Sequence, residues 1–347
     1  MVLGFCALLA GAPAAAAGGG HLQRGADLLA RGDLAGAAAA FSDAIRENPK
    51  DARAYYQRGV CHGRLKKAAE AKADYRASLK LDARLAEAHN NLGALLHEEG
   101  EEEPALAHLK LAVQHKPSYG EAWFNLGLVL YATKRYGDAA KAYVRAARLK
   151  PKDVDVRINL GAALQRLDDV EGALRQLKLA VQLAPKDAMA RANYGGLLLE
   201  RGKLDEALGE LKTATRLDPS YSPAWRRLAQ VLTKKGAHGE AVAHLKQACK
   251  LSPRSAELRA LLGQVYRKWG KSALALGEYR AALRIDPSFH KTHLLIGRLH
   301  AADGNCAAAR KAFAAFVATE PKLPADTLEK LAAECKARPG GGGGARP

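Results

Sequence analysis

The stretch EAWFNLGLVLYATKRYGDAAKAYVRAARLKP, residues 121–151, decides the fold of this chain. Its apolar side chains Trp123, Leu126 and Leu130 surround Gly127, and all four fall on one face of a helix. A second run of small and apolar residues follows after a short polar segment, and the closing proline cannot continue a helical hydrogen-bond ladder. The stretch therefore predicts two helices joined by a turn.

The pattern recurs every 34 residues, without insertion, from about residue 18 to residue 323. One slot of the first helix holds a small residue in every repeat: Gly25, Gly59, Gly93, Gly127, Gly161, Gly195, Ala229, Gly263 and Gly297. One slot of the second helix is always alanine: Ala37, Ala71, Ala105, Ala139, Ala173, Ala207, Ala241, Ala275 and Ala309. A closing proline is missing only in the second repeat, which has Ala83. Small residues on both helices let the helices of a repeat approach closely.

These slots resemble the tetratricopeptide repeat family, whose 34-residue helix–turn–helix carries W-x2-L-G-x2-Y, then A-x3-F and P. The resemblance implies an all-α fold, a right-handed superhelical α-solenoid whose first helices line a concave groove. No single repeat buries its apolar face alone, so stacked repeats make the core. Repeats 1 to 9 are predicted at 18–51, 52–85, 86–119, 120–153, 154–187, 188–221, 222–255, 256–289 and 290–323.

The two ends of the chain differ from the repeats. Residues 1–17 contain a short apolar run followed by APAAAA, which indicates a signal peptide, although no Lys or Arg follows Met1. The alternative is a disordered leader on a cytoplasmic protein. We expect export to the periplasm or outside the cell. The apolar run is shorter than the roughly 20 residues of a membrane span. Residues 339–347 are expected to form a disordered Gly-rich tail.

Residues 324–338 are predicted to form a C-terminal capping helix that covers repeat 9. Asp326 and Glu329 have the spacing of a capping box, and Leu328, Leu331 and Cys335 lie on its apolar face. The stacking implied by the resemblance brings Cys306 near Cys335. The pair forms either a disulfide or two buried thiols.

Polar side chains recur one residue before the Leu-Gly slot. We call Gln57, Asn91, Asn125, Asn159 and Asn193 the amide row; Arg227 takes the same slot in repeat 7. Helical geometry places this slot roughly 150° from the core face, which predicts that the amides look into the groove. An amide is both donor and acceptor, so the row is able to bind an extended peptide backbone. In family members with a similar row this is its role. The alternative is hydrogen bonding to neighbouring helices.

The net charge of +18 lies mainly in the last three repeats, since residues 222–323 hold 18 basic and 6 acidic side chains. Several of these basic residues fall at groove-facing slots: Arg226, Arg227, Lys234, Arg267, Lys268 and Arg298. They indicate an acidic ligand segment, because Arg binds carboxylates in bidentate pairs. The alternative is an ordinary solvated basic face.

Sequence motifs for catalysis, metals and cofactors are weak. The sequence GKS at 270–272 lacks the earlier glycine and the strand of a phosphate loop. His293 and His300 occupy packing slots of the repeat. We therefore predict no enzyme activity, no metal and no cofactor. The expected function is a protein–protein interaction scaffold binding an extended, acidic segment of another protein. The runner-up is polyanion binding, nucleic acid included, by the basic C-terminal repeats.

Overall fold

The computed structural model describes residues 19–319, 324 and 326–335 of the 347-residue chain. The predicted leader at 1–17 and the predicted tail at 339–347 lie outside the described residues.

Every regular element in the described part of the chain is an α-helix, which confirms the all-α prediction. Ten helices lie in or begin in the first half: α1 Gly19–Ala30, α2 Leu34–Glu47, α3 Ala52–Arg64, α4 Ala68–Leu81, α5 Ala86–Glu98, α6 Glu102–His115, α7 Gly120–Ala132, α8 Tyr136–Leu149, α9 Val154–Arg166 and α10 Val170–Leu183. Nine follow: α11 Ala188–Glu200, α12 Leu204–Leu217, α13 Ser222–Lys234, α14 His238–Leu251, α15 Ala256–Lys268, α16 Ser272–Ile285, α17 Lys291–Ala302, α18 Cys306–Ala318 and α19 Thr327–Ala332.

The chain divides into two compact bodies, an N-terminal body up to Ala180 and a C-terminal body from Val181. In the N-terminal body each second helix packs on the first helix of the next repeat, as α4 packs on α5 and α6 on α7. The C-terminal body repeats this arrangement, with α12 on α13 and α14 on α15. Successive first helices also touch in both bodies, for example α5 with α7 and α11 with α13. The predicted stacking of helix pairs is confirmed within each body.

The slots that hold small residues lie where the two helices of a repeat approach each other most closely. All nine alanines of the second-helix slot are fully buried, from Ala37 to Ala309. On the first helix, a Cβ at Gly127 would lie 2.5 Å from Cε1 of Tyr143. Repeat 7 is the one repeat with alanine, Ala229, in the glycine slot. In that repeat Leu245 replaces the tyrosine that Tyr143 provides in repeat 4. The glycine is therefore needed most where its partner is an aromatic ring.

We expect Gly127→Ala to lower the free energy of unfolding by about 1–3 kcal/mol, because the added methyl group overlaps a rigid buried ring. Thermal or denaturant unfolding of the full chain measures this effect. Gly161→Ala is the matched control, since its Cβ would meet the branched side chain of Leu177 at 2.9 Å, which can shift. The higher helix propensity of alanine then offsets the cost of this contact by roughly 0.5–1 kcal/mol. Equal losses in the two variants would contradict this explanation.

The turn inside each repeat has a left-handed residue that the sequence patterns did not single out. Six of these nine positions are glycine, namely Gly32, Gly100, Gly202, Gly236, Gly270 and Gly304, with φ between 74° and 82°. Lys66, Lys134 and Asp168 take the same conformation in repeats 2, 4 and 5. Gly270 of the GKS sequence is therefore a turn residue.

A hydrogen bond from the first helix of a repeat ties it to the end of the repeat before. The Trp123 indole donates to the carbonyl of Pro117 at 2.9 Å, and the Trp225 indole to that of Pro219 at 3.0 Å. Arg157 and Arg191 occupy the same slot in repeats 5 and 6 and donate to the prolines Pro151 and Pro185. In these four repeats the slot holds an N–H donor, whether its side chain is Trp or Arg.

Repeat 2 contains a buried ionic cluster, built around an arginine at a slot that is Leu, Ile or Tyr in repeats 3 to 9. Arg58 on α3 donates through Nε and Nη2 to the carboxylate of Asp74 on α4, with the shortest contact at 2.6 Å. The His62 ring contacts the same carboxylate at 2.9 Å. Arg58 also donates through Nη1 to the Ser42 hydroxyl at 3.1 Å. Only 6% of the Asp74 side chain is exposed, so this carboxylate is the centre of the cluster.

The C-terminal cap is shorter than predicted, because α19 ends at Ala332, well before residue 338. The expected capping box is wrong: the Asp326 carboxylate makes no cap hydrogen bond and contacts Lys330 at 2.7 Å instead. The apolar face does cover repeat 9, since Leu328 and Leu331 pack against Phe313 and its neighbours.

A disulfide joins Cys306, the first residue of α18, to Cys335 beyond α19. Their Cα atoms lie 5.5 Å apart, within the range that a disulfide requires. Of the two alternatives left open by the sequence, the structure contains the disulfide rather than two thiols. Cys61 and Cys249 are free and buried.

Candidate functional site

The first asparagine of the amide row is not on the surface. Asn91 on α5 is 7% exposed, and its Nδ2 lies 3.5 Å from the hydroxyl of Tyr56 and 3.4 Å from that of Tyr75. The expectation that this amide looks into a groove is wrong, because tyrosines of the preceding repeat lie over it. Gln57, the first member of the row, is half-buried on α3.

Asn125 on α7 is half-buried and belongs to a chain of amides. Its Nδ2 donates to Oδ1 of Asn90 at 2.9 Å, and Asn90 donates to Oδ1 of Asn91 at 3.1 Å. Asn90 is 1% exposed and also donates to the Tyr119 hydroxyl. The chain therefore links α7 to α5 and, through Asn91 and Tyr56, to α3. Sequence reasoning missed Asn90, although two adjacent asparagines on one helix were a visible signal.

Asn159 on α9 is half-buried, and its Nδ2 donates to the carbonyl of Asp155 in the previous turn at 2.9 Å. Asn125 and Asn159 thus each use one of their two N–H donors within the protein, and each keeps its second N–H and Oδ1. Both amides retain a donor and an acceptor, as the sequence suggested, with part of the donor capacity already committed.

In the C-terminal body the slot of the amide row holds Asn193 and, one repeat later, an arginine instead of an amide. Nη1 of Arg227 on α13 donates to Oδ1 of Asn193 on α11 at 3.0 Å and to the carbonyl of Ala192 at 2.8 Å. Oδ1 of Asn193 therefore accepts from Arg227 with one of its two lone pairs. Burial lowers the pKa of the Arg227 guanidinium, and the neighbouring charge of Arg226 acts in the same direction.

The guanidinium of Arg227 lies against Gly196 on α11. A Cβ at Gly196 would come within 2.8 Å of Nε and 3.0 Å of Cζ of Arg227. Any larger side chain at position 196 would displace the arginine. The sequence pattern gave no reason to single out Gly196, because it directly follows the glycine of the small slot.

The other predicted basic residues have different surroundings. Arg226 contacts Glu257 at 2.7 Å, and Arg298 binds both carboxylate oxygens of Glu334 at 3.3 and 3.4 Å. The remaining three predicted residues, Lys234, Arg267 and Lys268, are exposed at the ends of α13 and α15. The Nζ of Lys234 lies 3.4 Å from the carbonyl of Leu199. Two of the predicted basic residues, Arg227 and Lys234 on α13, thus contact α11, the helix that carries Asn193. Arg226 and Arg298 contact glutamates elsewhere instead.

The described residues hold no group of three or more His, Cys, Asp or Glu side chains arranged to bind a metal ion. His290, His293 and His300 therefore do not form such a site. Among residues 19–319 and the described part of the cap, no helix is both long and apolar enough to cross a membrane.

Comparison with protein families decides the assignment. Tetratricopeptide repeat profiles match residues 22–83, 120–153, 158–222, 197–256 and 226–290. The chain belongs to the tetratricopeptide repeat family. The matches cover more than half of the chain, and the one at 120–153 has the bounds predicted for repeat 4.

Solved structures similar to this tetratricopeptide repeat chain support the same fold. The structure of PilF from Pseudomonas aeruginosa is 24% identical to this chain, covers 60% of this chain and 94% of its own, and has a TM-score of 0.54. The Cut9–Hcn1 structure of the APC/C is 17% identical over 89% of this chain and 59% of that one, with a TM-score of 0.59. A tetratricopeptide repeat protein from Parabacteroides merdae is 18% identical over 71% and 97%, with a TM-score of 0.54. No curated protein matches the chain significantly.

Tetratricopeptide repeats support the function of a protein-interaction scaffold in general terms. One repeat architecture serves many partners, so the class of partner has to be argued from the site.

Proposed function

We propose that this chain is a non-enzymatic scaffold that binds an extended, acidic segment of another protein along its first helices. The observation that carries the proposal is the exposure of basic side chains at the ends of α13 and α15, where Lys234, Arg267 and Lys268 lie. The C-terminal repeats supply two-thirds of the net positive charge of the chain, and charge complementarity steers an acidic partner to them.

The amide row has a smaller part in this proposal. Oδ1 of Asn125 and Oδ1 of Asn159 are suited to accept N–H groups of a bound peptide backbone. Two such bonds contribute about 1–3 kcal/mol, whereas a micromolar complex requires about 8 kcal/mol. Charge contacts must therefore supply most of the affinity. Asn91 contributes by fixing the neighbouring helices.

An exported location belongs to the same proposal. Disulfides persist in oxidising compartments, so the Cys306–Cys335 bond supports export, as does the signal-like sequence of residues 1–17.

The proposal predicts that the full chain binds a labelled, extended Glu-rich peptide and does not bind its Gln-substituted counterpart. We expect Lys234→Ala/Arg267→Ala/Lys268→Ala to weaken this complex at least tenfold, because charge-assisted bonds to the peptide are lost. Asn125→Ala/Asn159→Ala should weaken it only severalfold. Fluorescence anisotropy measures each affinity, and circular dichroism checks that the variants fold. Equal affinity for the Glu and Gln peptides would contradict the acidic segment.

The salt dependence of the affinity distinguishes polyanion binding from this function. Binding of single-stranded DNA through many phosphates falls by orders of magnitude between about 50 and 200 mM salt. A short acidic peptide held by a few fixed groups should weaken far less over that range. Tighter binding of DNA than of the peptide, with that steep salt dependence, would replace the proposed function by polyanion binding.

A further inference from the structure

We propose that His89 and His108 form a pH-sensitive contact between α5 and α6, which holds while at most one of the two rings is positively charged and breaks when both are. We call these two residues the histidine pair. The inference goes beyond the proposed function, because it concerns how acid loosens the N-terminal body and needs no bound partner.

The contacts of His89 fix the position of its hydrogen. His89 occupies the slot of Trp123 in repeat 3, and its Nε2 lies 3.1 Å from the carbonyl oxygen of Ala83, the residue in the slot of the closing proline. A carbonyl oxygen only accepts hydrogen bonds, so Nε2 carries the hydrogen, as the indole nitrogen of Trp123 does. In the neutral ring Nδ1 of His89 is therefore an acceptor.

The two rings meet through a pair of nitrogens that share one hydrogen. Nδ1 of His89 lies 2.9 Å from Nδ1 of His108. Since the first is an acceptor, His108 is the donor. One further proton is tolerated, because it binds Nε2 of His108 and leaves this bond intact. A second proton has only Nδ1 of His89 to bind. It would place two N–H donors and two positive charges face to face at hydrogen-bond distance, so the second protonation breaks the contact.

The surroundings of the histidine pair also oppose protonation. His89 is 5% exposed and His108 is half-buried. Burial lowers the pKa of both rings, and for His89 it outweighs the opposite effect of the bond to Ala83. The ring of His115 on α6 stacks on His89 with 5.9 Å between centroids and lowers its pKa further. Arg76 on α4 acts in the same direction on the pKa of His108.

Carboxylates on the helices around the histidine pair interact with other groups. Glu121, the one charged residue of α7, interacts with Lys150. Three more carboxylates on α5, α6 and α4 have partners of their own: Glu87 with Lys116, Glu102 with His97, and Asp74 with Arg58. In the described structure neither ring of the pair is bonded to a carboxylate. A proton taken up by the pair therefore gains no counter-charge.

Other repeats fill the same two slots with pairs that keep their charge between pH 5 and 7. An arginine on the first helix contacts the second helix in three of them: Arg157 with Gln176 at 3.0 Å, Arg191 with Glu210 at 2.5 Å and Arg259 with Glu278 at 3.0 Å. Arginine stays protonated and glutamate largely ionised over that range. Repeat 7 has Trp225 and His244 in these slots, hence a single histidine. Among the nine repeats only repeat 3 has two.

Acid therefore favours an opened repeat 3. In the opened state the histidines titrate near their ordinary pKa of about 6.5, whereas in the closed state both pKa values are lower. The opened state thus binds more protons, so the stability of the contact is complete above about pH 6.5 and is lost as the pH falls through the lowered values. Because Asn90 directly follows His89, this opening also loosens the amide contact between α5 and Asn125.

Hydrogen exchange of the full chain between pH 7 and pH 5 tests the inference. We expect the protection of α5 and α6, corrected for the intrinsic pH dependence of exchange, to fall about tenfold or more, since each proton taken up on opening changes the equilibrium by up to tenfold per pH unit. His89→Arg/His108→Glu installs the pair of repeats 6 and 8. It should reduce the loss to less than about threefold, because neither new side chain changes its charge appreciably over this range. His108→Gln keeps a donor for His89 but removes one titrating group, so its loss should lie between the two.

A histidine at the same slot of another repeat supplies the matched control. His244→Gln in repeat 7 removes a half-buried imidazole and should leave the pH dependence of α5 and α6 unchanged. Equal protection of these two helices at pH 7 and pH 5 in the wild type would overturn the inference. So would a loss that persists undiminished in both His89→Arg/His108→Glu and His108→Gln, because other groups would then cause it. These measurements use no peptide, so their outcome is independent of the proposed function.

Discussion

Replacing Asp74 with alanine should lower the free energy of unfolding of the N-terminal body by about 3–5 kcal/mol, the cost of leaving a buried charge unpaired. The Asp74 side chain is 6% exposed and the Arg58 side chain 24% exposed, so water cannot fully replace the lost carboxylate. The His62 ring loses its partner at the same time. Denaturant unfolding followed by circular dichroism measures the loss.

A double variant tests the cause. Arg58→Leu/Asp74→Ala reproduces the pair Leu126 and Ala142, which occupies the same two slots in repeat 4. Replacing a buried ion pair by well-packed apolar residues is often neutral or stabilising. We therefore expect the double variant to recover most of the stability lost in Asp74→Ala. If the double variant is as unstable as Asp74→Ala, the unpaired charge is not the cause of the stability loss.

Removing the disulfide should have the second largest effect. Cys306→Ser/Cys335→Ser is expected to destabilise the C-terminal end by about 2–4 kcal/mol, because the link closes a loop across a sequence separation of 29 residues. Since neighbouring repeats in an array unfold as separate units, the loss should be concentrated in α18 and α19. Hydrogen exchange of residues 327–332 measures it directly.

Reducing agent supplies the control for this experiment. Reduction should accelerate exchange in the wild type to the level of the double variant and leave the double variant unchanged. Cys249→Ala replaces a buried thiol elsewhere and should not affect exchange in α19. Titration of thiols in the denatured protein should find two fewer in the oxidised wild type than in the reduced protein. An equal thiol count in both forms would contradict the disulfide.

The repeat register, the pairing of helices and the small slots could be predicted from the sequence, because each depends on residues within one 34-residue period. Trp123, Gly127 and Tyr143 identify a helix pair regardless of the rest of the chain. The cap could be predicted in place but not in length, and the expected capping box was wrong because the Asp326 carboxylate contacts Lys330 instead.

The site was harder to predict because its properties arise between repeats. Helical geometry gives the amides at positions 91 and 159 the same angle on their helices. The structure buries Asn91 under Tyr56 and Tyr75, whereas Asn159 bonds to its own helix. Position 123 and its equivalents look unrelated as Trp and Arg until the shared proline carbonyl is seen. A single sequence does not show such partners.

The difference between contacts within a repeat and contacts between repeats limits how this chain can evolve by recombination. Gly127 and Tyr143 lie in one repeat, so a duplicated or deleted segment of 34 residues inherits a matched pair. The contact of Arg227 with Asn193 spans two repeats. Loss of repeat 7 would keep the helical register intact but place Leu261 in the slot after Asn193. The architecture would survive that deletion, and the arginine over Gly196 would not.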